Sequence, residues 1–582
     1  MSAGDGRRTG SNLVAAGIML SRLAGLVREQ ALYFAFGLTG VADAFRAAMR
    51  IPNLLQNLLG EGALSASFIP VYARLVADGD EDEARRLAGA VATLLAALTA
   101  VLVLAGVLLA GPLVSLLTDF ETDRRWAAVA EAVSAARGLE PVVVIDRYQV
   151  AVELTRITTV GLGFLVLSAW CLGVLNSHRQ FFLSYVAPVV WNVVQIAAVV
   201  LAVVLGLGQA DAAVAVAWAV VVGSMAQFAV QLPAVRRLIP HLRPALSAGA
   251  SLDSVLRRFG PAVGARGVVQ LSSYLDTVLA TFLVSGALAA LALALPLYLL
   301  PISVFGFSVA ASELAEMSRR SQDPGAVGRR LTGGLRRTLL AVGYVTAAYL
   351  VASGPIVGAL YTWLPAVLGR GATSPDDTAT LAVILAAFGL GLPAAITARI
   401  TQNTLYALGD VRGPARIAVA RLLVVVVASV VLMLQFDWLS IQDGALRGLD
   451  QVPHLPPWER VAEAVRISPR EPTHLGAVGL ALGSTLASWT EWVLLRRRLA
   501  ARLDAPVRSG WASAVALAAT ASAAAMVVAQ LALRPVPAPL DTPVVLGAGL
   551  AVYIGVLRHR GIPRPRGVAP AGGAPAPGSP GG

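Results

Sequence analysis

No lysine occurs in the 582 residues; all 46 basic side chains are arginine. A P-loop needs its phosphate-binding lysine, so any transport here is not driven by ATP hydrolysis on this chain. Cysteine occurs once, as Cys171 inside an apolar run, which rules out an intrachain disulfide. The five histidines lack metal-ligand spacing, and HExxH, CxxC and GxSxG are missing. No metal, no cofactor and no enzymatic centre are therefore expected. Charge is scarce too, at 14% of residues, against about 25% in a soluble domain. The apolar/polar alternation over ~10 residues that marks a membrane β-barrel is absent as well.

What remains is apolar. The chain is 57% hydrophobic, with a mean hydropathy of +0.71, and long apolar runs recur throughout. A run of about 20 residues crosses a bilayer as a helix. The prediction is an all-α, polytopic membrane protein with about fourteen spans: 12–36, 40–74, 86–118, 151–176, 181–207, 211–234, 255–284, 286–317, 332–362, 378–407, 413–437, 475–495, 509–533 and 541–557. Residues 1–245 and 246–505 form two pseudo-symmetric six-helix halves, 506–560 adds two helices, and 561–582, rich in Pro, Gly and Ala, has the composition of a disordered tail. A faint internal echo, Leu175-Asn-Ser-His-Arg-Gln and Leu405-Tyr-Ala-Leu-Gly-Asp each before a proline-containing helix, fits repeated halves.

The net charge of +12 suggests nucleic acid at first sight. The arginines instead collect in alternate loops, among them Arg85-Arg86, Arg236-Arg237, Arg257-Arg258, Arg336-Arg337 and Arg496-Arg497-Arg498. By the positive-inside rule both termini lie in the cytoplasm of a cell whose cytoplasmic membrane the chain spans, and no nucleic acid is expected. Gly6-Arg7-Arg8 before an apolar stretch is read as retained rather than as a signal peptide, because Arg22 and Arg28 interrupt the apolar core. Two exterior loops are long, 119–150 and 438–474. Trp126 to Val133 and Trp458 to Val465 repeat one pattern there, read as chance similarity in an Ala-rich chain, with interfacial or docking helices as the alternative.

The chemistry gathers near the N-terminus. Asp43, Arg46, Arg50, Asn53, Asn57 and Glu61 follow helical steps and share one face of the second span, whose other side is apolar. Such a stripe does not face lipid, since an ionisable group at mid-bilayer costs roughly 2.5–3.5 kcal/mol on insertion scales. It lines water or other helices, with a kink expected at Pro52. Arg22, Arg28 and Glu29 add charge from the first span. One reading is internal salt bridging. The other is an anion site, because guanidinium forks match phosphate bidentately. Further intramembrane charges are Arg156, Arg266, Asp276, Glu313, Glu316, Arg399, Arg421 and Glu491. Asp276 is a candidate partner of Arg266 or a cation-coupling carboxylate.

SRLAGLVRE at 21–29, ADAF at 42–45, RIPNLLQNLLGEGALSASFIPVYA at 50–73 and LYALGDVRGPARIAV at 405–419 resemble the MurJ/MviN family of lipid II flippases, within the MOP transporter superfamily. The resemblance implies flipping of an undecaprenyl-pyrophosphate-linked peptidoglycan precursor by alternating access, through a cationic cavity. It also implies a lipid-facing groove at the last two helices. Arg22, Arg28, Asp43, Arg50, Asn53 and Glu61 match family positions, with Arg22 and Arg28 at the diphosphate, and Arg399 falls where a basic residue is common. The implied partners are that lipid-linked pyrophosphate, the bilayer and cell-wall synthesis proteins. Two arginines of the family pattern are replaced, by Gln56 and by Pro296, and Arg266 is the candidate to restore the lost charge. The alternatives are a flippase for another lipid-linked polysaccharide, a multidrug exporter of the same superfamily, a membrane enzyme of polyprenyl phosphates, and a non-transporting cell-wall scaffold.

Overall fold

The structure, a computed structural model, describes residues 3–120, 146–245, 249–307, 324–362, 374–410, 412–452, 460–466, 472–503, 511–534 and 538–561. Each expected span coincides with a helix or a broken helix as far as it is described, and residues 308–317 of the eighth lie outside the described residues. Nine described helices are long and apolar enough to cross a membrane by themselves, and a bent pair makes a tenth. The others carry charge (α1, Ala3–Phe36), are interrupted, or are short. Glu313, Glu316 and the segment from Trp126 to Val133 lie outside the described residues, as does Trp458.

The second span departs from its expected form. It is three helices, α2 (Gly40–Ala48), α3 (Arg50–Leu59) and α4 (Glu61–Asp78), not one. Pro52 has no N–H to donate and its ring crowds the carbonyl four residues back, so the helix stops at Ala48 and restarts after Met49. The second break falls at Gly60, whose ψ is −124° and where a β-carbon would sit 2.5 Å from the Gln56 carbonyl oxygen. The polar stripe is thereby divided, with Asp43 and Arg46 on α2 and Arg50 and Asn53 on α3. The third span breaks at Leu109, between α5 (Glu81–Leu108) and α6 (Ala110–Leu117).

After these come α7 (Arg147–Ser177), α8 (Phe181–Val204), α9 (Gln209–Leu238), α10 (Gly249–Ala280) and α11 (Ala287–Pro301), the last running into a π-helical turn over Ile302–Phe307. Then follow α12 (Pro324–Val351) and α13 (Ser353–Tyr361), bent by 79° within the ninth span, α14 (Pro375–Ala407) and α15 (Arg412–Phe436). A short α16 (Glu463–Arg466) precedes α17 (Gly476–Ala500), α18 (Ala512–Ala532) and α19 (Ala538–His559). One element was not expected: β1 (Ser440–Gln442) pairs antiparallel with β2 (Ala445–Arg447). Asp443 and Gly444 both have positive φ, as a two-residue hairpin turn of this hand requires. Asp376 accepts both turn N–H groups at 3.0 Å, which fastens the hairpin.

The chain divides into two compact units, Met1–Leu297 with Ile356–Ala387 and Leu422–Ala487, and Tyr298–Pro355 with Phe388–Arg421 and Ser488–Gly582. In the first, α7 is central: Leu162, Val166, Trp170, Cys171 and Leu175 are buried in one core with Phe68 and Tyr72 of α4 and Leu87 of α5. In a bilayer such helices are held by close van der Waals packing of these side chains rather than by their removal from water. In the second unit Tyr553 donates to the Leu340 carbonyl at 2.8 Å and Tyr344 to that of Leu546 at 2.8 Å, tying α12 to α19. Asp410, in the turn before α15, binds Arg498 at 2.5 Å and the Gly413 N–H at 2.9 Å. These bonds to its ionised form hold its carboxyl down at about 2.

Helices α15 and α17 approach closely along Gly476, Gly479 and Gly483, a small-residue stripe of the kind that lets membrane helices touch backbone to backbone. A β-carbon at Gly479 would lie 2.4 Å from the Leu432 carbonyl, and one at Gly483 would lie 2.3 Å from Ser429 Oγ. Gly479→Val is expected to destabilise the protein by about 1–3 kcal/mol or more through overpacking. Gly547→Val, where nothing lies within 4 Å, is the comparison expected to leave thermal unfolding in detergent almost unmoved. Equal melting temperatures for the two variants would contradict this packing.

Candidate functional site

A chain of three arginines runs along α1, α2 and α3. Arg28 of α1 donates to Glu29 Oε1 at 2.6 Å, and Arg46 of α2 forms an ion pair with Glu29 Oε2 at 2.5 Å, off the ideal hydrogen-bond line. Glu29 is buried, so its charge is affordable only because two guanidinium groups share it. The Arg28 guanidinium lies over the Trp191 ring of α8 at 4.8 Å, and that of Arg50 over Tyr274 of α10 at 5.3 Å. Stacking fixes the plane of each guanidinium while leaving donor edges for an acceptor. Asp276 accepts from Ser484 of α17 at 3.3 Å.

A second buried group adjoins α2. Asp43 accepts from Arg147 of α7 at 3.3 Å and from the N–H groups of Gly286 and Ala289 at 2.7 and 2.8 Å. It thus caps α11 where the helix dipole favours a negative charge. Arg147 is itself buried and lies over Phe120 at 4.7 Å. Both Asp43 oxygens are engaged in this arrangement, which makes the residue a clamp among α2, α7 and α11.

The residues singled out in the sequence are therefore only partly gathered. Arg28 and Arg46 share Glu29, Arg50 lies on Tyr274, and Asp43 sits in its own pair. Arg22 is exposed on α1 and Asn53 half-buried on α3. Arg399 is exposed on α14, within the second unit. The side chains of Glu61 and Arg266 lie outside the described residues, so the restoring role considered for Arg266 has no geometry here. Sequence reasoning passed over Arg46 as a site residue, although it lies on the polar stripe. Trp191, Tyr274 and Arg147 carried no local signal, since each is remote in sequence from its partner.

A family model described as lipid II flippase MurJ matches residues 33–443. The chain belongs to the MurJ family. Among its MurJ relatives, the lipid II flippase of Burkholderia cenocepacia is 31% identical over 415 residues, covering 70% of this chain and 74% of that one. A solved structure of "Lipid II flippase MurJ, inward closed conformation" aligns with a TM-score of 0.67 at 19% identity, over 94% of this chain and 99% of that one. An inward-facing multidrug resistance MATE family transporter of the MOP superfamily aligns at 0.55 and 14% identity, over 85% and 99%. These two likenesses establish the fold, a polytopic helical membrane fold shared by MurJ and MATE proteins. The MurJ match contains Asp43, Arg46, Arg50 and Asp276, begins after Arg28, and ends within the hairpin.

Proposed function

We propose that this MurJ family member flips a lipid-linked pyrophosphate, lipid II, across the cytoplasmic membrane by alternating access, with both termini in the cytoplasm. The observation that carries the reading is the pair of guanidinium groups on Glu29, with a third on Tyr274. A carboxylate held between two arginine forks stands where the oxygens of a phosphate bind. Glu29 is the resident anion, which the diphosphate displaces to reach Arg28, Arg46 and Arg50. Arg22 and Asn53, on the same unit, are outlying contacts of that path. Asp43 holds α11 in place beside it, and Asp276 is the carboxylate for cation coupling.

The second unit, taken by itself, has an apolar cavity. A cavity of about 740 Å³ is lined by Leu335, Thr397, Trp489, Trp492 and Val515, with Arg496 at 5.3 Å over Trp492. An apolar wall of this kind suits a polyprenyl chain. The flipped precursor would emerge beside the cell-wall synthesis proteins that consume it. The test is rescue of a strain depleted of its lipid II flippase, and growth with normal morphology is the expected outcome. Lysis despite normal membrane insertion of the chain would overturn the proposal.

A further inference from the structure

The turn 281–286 between α10 and α11 is gripped from several sides. Its Ser285 N–H donates to the Arg466 carbonyl at 3.0 Å, and its Val284 N–H to Asp437 Oδ1 at 3.4 Å. Thr281 Oγ1 accepts from the Asp119 N–H at 3.2 Å, and Arg460 lies over the Phe282 ring at 5.3 Å. Gly286 closes the turn at φ +93°, where a β-carbon would meet the Leu38 carbonyl at 2.6 Å. Two arginines converge on one carboxylate here. Arg460 and Arg466 both pair with Asp119, the latter at 3.3 Å, while Arg466 also holds Glu463 at 2.6 Å.

Arg466 is fully buried. A buried guanidinium is tolerated only with its counter-charge in place, so Asp119 and α16 are held as a set. Residues 460 and 466 lie beyond the stretch that matches the MurJ family model. Nothing in the transport site described above uses them.

We propose that residues 460–466, α16 with the arginine that precedes it, are a latch on the outer face of the carrier, with Arg460 and Arg466 gripping Asp119 and releasing it when the cavity opens outward. The inference rests on the carrier reading and the topology proposed above. An alternating-access carrier rocks one repeat against the other. Leu38, Asp43 and Asp119 belong to the first sequence half, whereas the turn, Asp437, Arg460 and Arg466 belong to the second. Outward opening therefore breaks this grip, and its strength sets how often the outer face opens.

The test places one reporter cysteine at Met49, nine residues below Gly40 along the helix entry, in a Cys171→Ala background. Labelling by a membrane-impermeant maleimide added from outside is measured in the full-length protein. Asp119→Asn is expected to raise the labelling rate about tenfold, the equivalent of one 1.4 kcal/mol step in the opening equilibrium. Arg460→Gln, at a partly exposed position, should raise it less, and Leu449→Ser, in the same exterior loop outside the grip, should leave it unchanged. Unchanged labelling in both Asp119→Asn and Arg460→Gln, with an active parent, overturns the latch. Labelling that rises although the parent moves no lipid II overturns the substrate reading and leaves the latch standing.

Discussion

Arg28→Lys is expected to lose lipid II transport almost as completely as Arg28→Ala. Lysine keeps the charge but offers a point ammonium in place of a planar fork. The fork matters here for two reasons. Its face lies on Trp191 at 4.8 Å, and its edge reaches Glu29 at 2.6 Å. A charge-assisted hydrogen bond contributes roughly 1.5–3 kcal/mol, and a desolvated cation–π contact about 0.5–2 kcal/mol. Loss of the fork on both counts, at about 2–5 kcal/mol, corresponds to a roughly 30- to 4,000-fold weaker hold on the diphosphate. Transport measured with leaflet-specific labelling of lipid II checks this. A lysine variant working at more than a third of the parental rate would show that charge alone suffices. Trp191→Leu should fall between the parent and Arg28→Lys, because it removes the stack and leaves the fork.

The second large effect belongs to the Asp43–Arg147 pair. Arg147→Ala strips a buried carboxylate of its counter-charge, and breaking one partner of a buried pair costs about 3–5 kcal/mol. Asp43→Ala leaves Arg147 buried without that carboxylate and also uncaps α11, where a lost cap adds about 1 kcal/mol. Both single variants should melt well below the parent in detergent, Asp43→Ala the lower. The double variant Asp43→Ala with Arg147→Ala should cost less than the sum of its parts, since the two residues act as one unit. Additive losses would mean that the pair contributes little as a pair and that each residue acts through other neighbours.

Much of this architecture was legible because hydropathy reports length, and length fixes what crosses a bilayer. The arginine-rich stripe was legible for a related reason, as helical steps bring Asp43, Arg46 and Arg50 to one side. Continuity of that stripe was not legible. Pro52 marked a kink, but the division at Met49 and again at Gly60 depends on how closely the backbone turns. Nor does periodicity report pairing over distance. Arg147 reads as a loop arginine at the start of a span, and only folding carries it to Asp43, 104 residues away. Trp191 reads as one more apolar residue until Arg28 is laid across it. The hairpin had a signal, Asp443-Gly444, submerged in a chain otherwise read for helices. Gln56 and Pro296 stand where the resemblance implies two arginines that this chain lacks.

The most direct measurement follows lipid II in proteoliposomes reconstituted with the full chain, using a label that reaches only one leaflet. Time-dependent exposure of the protected pool is expected with the parent, reduced to the protein-free rate by Arg28→Ala and by Arg46→Ala. Exposure no faster than in empty vesicles, or undiminished in both arginine variants, would contradict a cationic site that carries the pyrophosphate across.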